Sequence, residues 1–204
     1  EIAISSWRES FTGKLQFQNP NLLIASARSG NVIGGGDWAN DRLVPDAIRS
    51  LSKQKTIKLR NPNSKRPWQH VLEPLGGYLL LAEKLFSTEE MFLKLNTNNI
   101  NPYKSAFNFG PNLEANRTVK EVIQEITSHW DGEWEDASSL NSLHEANLLH
   151  LQIDKAYNKL NWKPSWDFST AIKKTIYWYK DFILMGKTAR NCCINDINEF
   201  EKLL

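Results

Sequence analysis

Asn21-Leu-Leu-Ile-Ala-Ser-Ala27, then Arg28-Ser-Gly-Asn31-Val-Ile-Gly-Gly-Gly-Asp-Trp38, then Asp41-Arg-Leu-Val-Pro45 is the stretch that decides the fold. Its first seven residues form a compact apolar run behind Asn19-Pro20 and read as a buried strand. Gly30 and Gly34 to Gly36 make a loop. Pro45, with its fixed φ, suits the first turn of a helix running to about Gln54, with Leu43 and Val44 packing ahead of it. Working outward, residues 1–11 read as the end of a helix, with Ile2, Ile4 and Trp7 apolar. Thr56 to Leu59 reads as a short strand and Asn61 to Pro67 as a turn. Pro74 opens a long helix to about Phe86, with Leu75, Leu79, Ala82 and Phe86 on one face. Glu73, just ahead of Pro74, is expected to cap it. Ala106 to Phe109 is a strand closed by Gly110-Pro111. Thr118 precedes a helix carrying Val119, Val122, Ile123 and Ile126. Asp154 caps a helix ending near Leu160, and Asp167 or Ser169 caps the last clear one, which reaches about Leu184. Strands alternating with helices indicate an α/β fold.

The 204 residues are 41% hydrophobic and 24% charged, with a mean hydropathy of −0.49. This fits a folded globular chain and excludes a disordered tail, a collagen and a coiled coil. No apolar run reaches the roughly 18 residues of a membrane span. The first residues carry neither the basic nor the apolar segment of a signal peptide. Cys192 and Cys193 are adjacent, which provides no disulfide framework and no zinc-ligand spacing. A reducing cytoplasm is the expected location. The net charge of +2 identifies no partner, but the charge is uneven. Arg42, Arg49, Lys53, Lys55, Lys58, Arg60, Lys65 and Arg66 are opposed within their stretch only by Asp46, whereas Asp131 to Asn147 holds five acids and no Lys or Arg. Either these are solvated surfaces, or the basic stretch is a cleft for an anionic ligand. The cations do not interleave with aromatics as a nucleic-acid platform requires, so a small phosphorylated ligand suits them better.

Gly34-Gly35-Gly36-Asp37-Trp38-Ala39 matches the dinucleotide fingerprint G-x-G-x-x-A on paper. The fingerprint needs a helix opening at its third glycine and an acid about 20 residues on, after a second strand. Pro45 places the helix later, and Ile57 to Arg60 holds only basic and apolar residues, so the loop is instead a connection near a ligand. His70, His129, His144 and His150 have no metal spacing, and no metal site is expected. Trp130, Trp134, Trp162, Trp166 and Trp178 read as packing residues. Trp68, beside Arg66 in a basic turn, is the tryptophan expected near a ligand.

Arg28-Ser-Gly-Asn31-Val-Ile-Gly-Gly-Gly-Asp-Trp38 with Asp41-Arg-Leu-Val-Pro45, and Arg66-Pro-Trp-Gln-His-Val71-Leu-Glu-Pro74, resemble the CDP-glucose 4,6-dehydratases, a branch of the extended short-chain dehydrogenase/reductase family. The resemblance continues through Phe107-Asn-Phe-Gly-Pro111, Leu160-Asn-Trp-Lys-Pro164 and Thr175-Ile-Tyr-Trp-Tyr179 and covers essentially the whole chain. The first two runs are specific to the CDP-glucose branch; Leu160 to Pro164 is shared widely.

The resemblance implies NAD-dependent removal of water from CDP-glucose for deoxysugar and surface polysaccharide synthesis. The implied fold is the C-terminal part of a Rossmann-type NAD-binding protein with a small nucleotide-sugar lobe. Residues 1–29 and 67–110 would be what remains of the NAD-binding domain, and 30–66 and 111–204 the substrate lobe. The family's glycine-rich NAD loop and its Tyr-x-x-x-Lys match positions before Glu1, so no catalytic residue is expected in this chain, and it is expected to be an inactive, poorly soluble piece of a homodimeric or homotetrameric enzyme. By the same resemblance Asn31 lies near the sugar and diphosphate, Arg66 reaches the diphosphate, Arg42 lies near the base, and Arg60 is a further phosphate or ribose ligand. Ser29 and Gly30 approach the nicotinamide end through their backbone. Other dehydratases and epimerases of the family, or a non-catalytic nucleotide-sugar-binding module, remain the alternatives.

Overall fold

The computed structural model describes residues 1–13, 15–19, 21–97, 99–138 and 150–204. Pro20, and His144 and Glu145 of the acidic stretch, lie outside the described residues. In chain order the elements are α1 (Ile2–Phe11), β1 (Ser26–Ser29), β2 (Asn31–Ile33), α2 (Leu43–Leu51), β3 (Ile57–Leu59), β4 (Lys65–His70), α3 (Leu72–Lys94), β5 (Ala106–Phe109), β6 (Asn116–Thr118), α4 (Val119–His129), β7 (Trp134–Asp136), α5 (Asp154–Leu160), α6 (Phe168–Ile183) and α7 (Ala189–Glu201). No described helix is long and apolar enough to cross a membrane. The chain forms two compact units: Glu1–Ser29 with Pro74–Phe109 and Gln152–Lys163, and Gly30–Glu73 with Gly110–Leu151 and Pro164–Leu204.

In the first unit β1 and β5 pair in parallel, Ser26 opposite Ala106 and Ser29 opposite Phe109. The expected strand over 21–27 is therefore displaced: β5 offers only four residues, so the ladder starts at Ser26 and residues 21–25 lead into it without a partner strand. The core gathers Leu81, Phe107, Phe109, Ala156, Leu160 and Trp162. The edge of one ring meets the face of the other where Phe109 and Trp162 pack at 5.0 Å. The long helix starts two residues before Pro74 and turns its other face inward. Leu81 and Leu85 are buried, while Leu75, Leu79 and Phe86 are exposed. Both stripes are apolar, so periodicity alone could not choose between them. Asp154 does not cap α5: that helix has Ile153 at its N-cap without a side-chain bond, and the Asp154 carboxylate accepts from Gln152 instead.

In the second unit β2 pairs in parallel with β4, β4 antiparallel with β6, and β3 in parallel with β7. The turn expected over 61–67 is confined to Asn61–Ser64, closed by Ser64 N–H donating to the Asn61 carbonyl, and β4 follows at once. Pro67 to His70 are all buried, so β4 shows none of the alternation by which a half-exposed strand is recognised. Ile48, Val122, Ile123, Ile126, Ile172, Ile176 and Tyr179 form the centre of the core. Thr118 and Glu121 make a full capping box at the start of α4. Asp167 caps α6, accepting from Thr170 N–H at 2.8 Å.

Helix α7 has no counterpart in the sequence reading. Its buried residues are Cys192, Asp196 and Phe200, one per turn, and an acid in the middle of so narrow a stripe erases the amphipathic signal. Burial pushes the Asp196 carboxyl up to about 6, against a smaller opposing pull from Lys174, which bonds Glu199. The fold thus favours the neutral acid. That contribution is complete below the unfolded value near 3.8 and is lost as the pH rises through about 6. Asp196→Asn is expected to stabilise the protein by about 1–3 kcal/mol near pH 8 and to change little near pH 4. Denaturant titrations of both proteins at the two pH values check this. An equal change at both would remove Asp196 from the titration.

Candidate functional site

The three-stranded sheet β2–β4–β6 brings part of the expected site together. Asn31 opens β2 opposite Trp68, and Arg66 lies two residues earlier on β4, opposite Arg117 of β6. Side chains two apart on a strand, and those opposite each other in register, share a face. Asn31, Arg66, Trp68 and Arg117 therefore belong to one face of the sheet. Gly30 is what lets β2 start here: a Cβ on it would lie 2.9 Å from the Pro67 carbonyl oxygen, closer than side-chain carbons approach.

The individual placements differ. Arg66 is half-buried, with Nη1 donating to the Lys65 carbonyl at 2.8 Å. Trp68, expected in a basic turn near a ligand, lies instead on β4 and is only 6% exposed. It packs in the core of the unit, and its indole N–H donates to the Arg117 carbonyl at 3.1 Å. Arg42 and Arg60 belong to a different group. Both are exposed and bonded to aspartates of the loop that follows the glycines, Arg42 to Asp37 at 3.4 Å and Arg60 to Asp41. Arg49 joins Asp46 and Lys58 joins Glu135. At least four of the eight cations of the basic stretch are thus paired, with acids that come from Asp37, Asp41 and β7 as well as from Asp46. Ser29 ends β1 opposite Phe109 in the first unit.

The loop Gly34–Trp38 is held from inside. The Tyr179 hydroxyl donates to the Asp37 carbonyl at 2.6 Å, and the Arg49 guanidinium donates to the carbonyls of Trp38 and Ala39 at 3.0 Å. Burial pushes the Tyr179 phenol up to about 12, which keeps it a donor and unsuited to proton transfer near neutral pH. A Cβ on Gly35 would lie 2.0 Å from ring carbons of Trp178, so the indole fills the space under the loop. His70 is fully buried, with its Nδ1 accepting from Leu72 N–H at 3.3 Å. Burial, with a smaller contribution from Lys174, lowers it to about 4, so its imidazole stays neutral. Glu73 does not cap α3. Its buried carboxylate accepts from Ser165 and Trp166 N–H, at 3.0 and 2.6 Å, and fixes the chain entering α6. Burial nevertheless moves its pKa upward, the two backbone donors opposing.

A cleft of about 500 Å³ opens beside β6 and the starts of α4 and α6. Glu114, Glu121, Glu125 and Asp167 line it together with Arg117, whose guanidinium bonds Glu121 at 3.3 Å and lies 5.7 Å from the centre of the Phe168 ring. Four carboxylates against one arginine repel a diphosphate, so this cleft is not its place. Arg117 was missed by sequence reasoning because only the antiparallel register sets it opposite Arg66.

No family model matches the chain. A CDP-glucose 4,6-dehydratase of Salmonella typhimurium strain LT2 is 36% identical over 204 residues, covering 98% of this chain and 53% of that protein. Among solved structures, dTDP-glucose 4,6-dehydratase of Bacillus anthracis in complex with NAD superposes with a TM-score of 0.63 at 16% identity, over 88% of this chain and 49% of that one. UDP-glucuronic acid 4-epimerase of Bacillus cereus, in complex with UDP-glucuronic acid and NAD, gives 0.62 at 14% identity, over 88% and 49%. The chain spans about half the length of these relatives. It has the Rossmann-type α/β fold of the extended short-chain dehydrogenase/reductases and resembles CDP-glucose 4,6-dehydratase over nearly its whole length.

Proposed function

We propose that the chain is the C-terminal, nucleotide-sugar-binding part of an NAD-dependent CDP-glucose 4,6-dehydratase, which converts CDP-glucose to CDP-4-keto-6-deoxyglucose and water for the synthesis of deoxysugars of surface polysaccharides such as O-antigen. The observation that carries this is the 36% identity to a CDP-glucose 4,6-dehydratase over 98% of the chain. In this reading Arg66 holds the diphosphate, since a planar fork of donors matches two phosphates. Asn31, on the same face, reaches the sugar side. Arg42 and Arg60 exchange their aspartate partners for the nucleotide. Trp68 acts through packing, holding β4 and β6 in register behind Arg66. The two cysteines are free, in keeping with a reducing cytoplasm. The whole protein is a homodimer or homotetramer.

Other proteins of this fold hold NAD or NADPH, and the whole enzyme would use NAD as its hydride carrier. The described residues of this chain do not form a dinucleotide cradle. The glycine-rich loop rests on Trp178, and no helix opens until Leu43. Ser29 and Gly30 are the positions through which the backbone would approach the nicotinamide end, and the remainder of the cofactor site belongs to sequence outside this chain.

The 204-residue chain supplied with CDP-glucose and NAD is expected to give no 4-keto product above a no-protein control, and to bind CDP. Turnover by the chain alone would contradict the reading as a fragment. Failure to bind CDP would contradict its assignment as the nucleotide-sugar part.

A further inference from the structure

The first unit gathers cations around the start of the β1–β5 pair that have no part in the reading above. Lys155 of α5 donates from Nζ to Ser105 Oγ at 2.9 Å and to the Ala106 carbonyl at 3.0 Å, and lies 4.6 Å from the centre of the Phe107 ring. Ala106 faces Ser26 across the ladder. The Ser26 hydroxyl donates to the Glu1 carboxylate at 3.0 Å, and Arg28, on the same side of β1, lies 3.6 Å from that carboxylate. Arg8 of α1 is only 8% exposed. Its Nε donates to the Ile24 carbonyl at 2.9 Å, and its Nη2 is buried without a partner among the described residues. Burial lowers the Lys155 pKa, the charges of Arg8, Arg28 and Lys159 lower it further, and the Glu1 carboxylate opposes them.

Glu1 is the one described carboxylate in this group. Lys155 and Arg8 otherwise bond only neutral oxygens. A buried guanidinium with a free N–H, next to a second and a third cation, is costly unless an anion joins it. Tetrahedral oxyanions suit such a set, because they offer several acceptor oxygens to forks and to an ammonium together. The Glu1 carboxylate, bonded to Ser26 and close to Arg28, marks where such oxygens would lie.

We propose that Arg8, Arg28 and Lys155 form a binding site for a phosphate-class oxyanion in the first unit, with Ser26 as a further donor and Glu1 as a competing internal carboxylate. The site stands apart from the nucleotide reading, which rests on Arg66 in the second unit. The test is a titration of the full chain with inorganic phosphate, at ionic strength matched with chloride, followed by the Nε–H NMR signals of its arginines. Arg8 and Arg28 are expected to shift saturably. Lys155→Met should weaken binding about ten-fold, in line with one charge-assisted bond. Glu1→Gln, which removes the competitor, should strengthen it several-fold; this gain does not depend on tolerating the loss of a buried cation. Arg66→Ala should leave it unchanged. Shifts that never saturate, or an affinity untouched by Lys155→Met and Glu1→Gln, would overturn the proposal. Loss of phosphate binding in Arg66→Ala would overturn it too, by moving the anion to the nucleotide site.

Discussion

Trp178→Ala is expected to destabilise the protein by about 3–5 kcal/mol, the range for deleting a large buried aromatic. The indole is 5% exposed. It stacks on Phe182 at 5.4 Å, meets Tyr179 edge to face at 5.3 Å and donates to Cys193 Sγ at 3.4 Å. It also lies directly beneath Gly35. Gly35→Ala drives a methyl into the ring and is expected to cost about 1–3 kcal/mol or more. The two changes are coupled: once Trp178 is removed, Gly35→Ala should cost well under half of that. Denaturant titrations of the two single variants and the double variant, followed by far-ultraviolet circular dichroism, check this. Additive losses would show that the indole does not support the glycine-rich loop. The specificity of the Gly34–Trp38 run would then have a structural basis elsewhere.

The second large effect concerns Arg66. A charge-assisted bond to phosphate contributes about 1.5–3 kcal/mol, more when bidentate. Arg66→Ala in the whole enzyme is therefore expected to weaken CDP binding by roughly ten-fold to a few hundred-fold. Lys at this position should recover only part, because an ammonium cannot make a planar fork. NAD affinity should hold, since in this reading the chain meets the dinucleotide through the backbone of Ser29 and Gly30 and not through the Arg66 side chain. Calorimetric titrations of both variants with CDP and with NAD measure this. Unchanged CDP affinity in Arg66→Ala would take Arg66 out of the site and leave the sheet face as ordinary structure. An equal loss for both ligands would indicate misfolding.

The exposed apolar residues have a bearing on both experiments. Trp7 and Phe11 of α1, and Leu79 and Phe86 of α3, all stand open to solvent. If the remainder of the proposed enzyme or a second subunit covers them, the 204-residue chain alone should associate in solution.

The sequence by itself determined the α/β class, because strand-like runs alternate with helices marked by punctuating residues. It also placed the start of α4 after Thr118 and narrowed that of α6 to Asp167 or Ser169, since Thr118 with Glu121 and Asp167 with Thr170 cap their helices through bonds spanning three residues; that Asp167 rather than Ser169 is the cap was decided in the structure. Ala106 to Phe109 was legible for a similar reason: a short apolar run ends at Gly110-Pro111. What only the tertiary structure decided depends on partners distant in the chain. The ladder of β1 begins at Ser26 because β5 is short. The buried side of α3 is set by what packs against it, since two of its stripes are apolar. Lys65 to His70 forms a strand whose last four residues, Pro67 to His70, are buried on both faces, and such a run carries no alternation. The polar Asp196 concealed α7. In the candidate site, Arg66 and Asn31 could be named from local motifs, but their shared face depends on the pairing of β2 with β4. The burial of Trp68, the placement of Arg117 opposite Arg66 and the reach of Glu73 to Ser165 depend on contacts between residues tens of positions apart, and no local pattern records those.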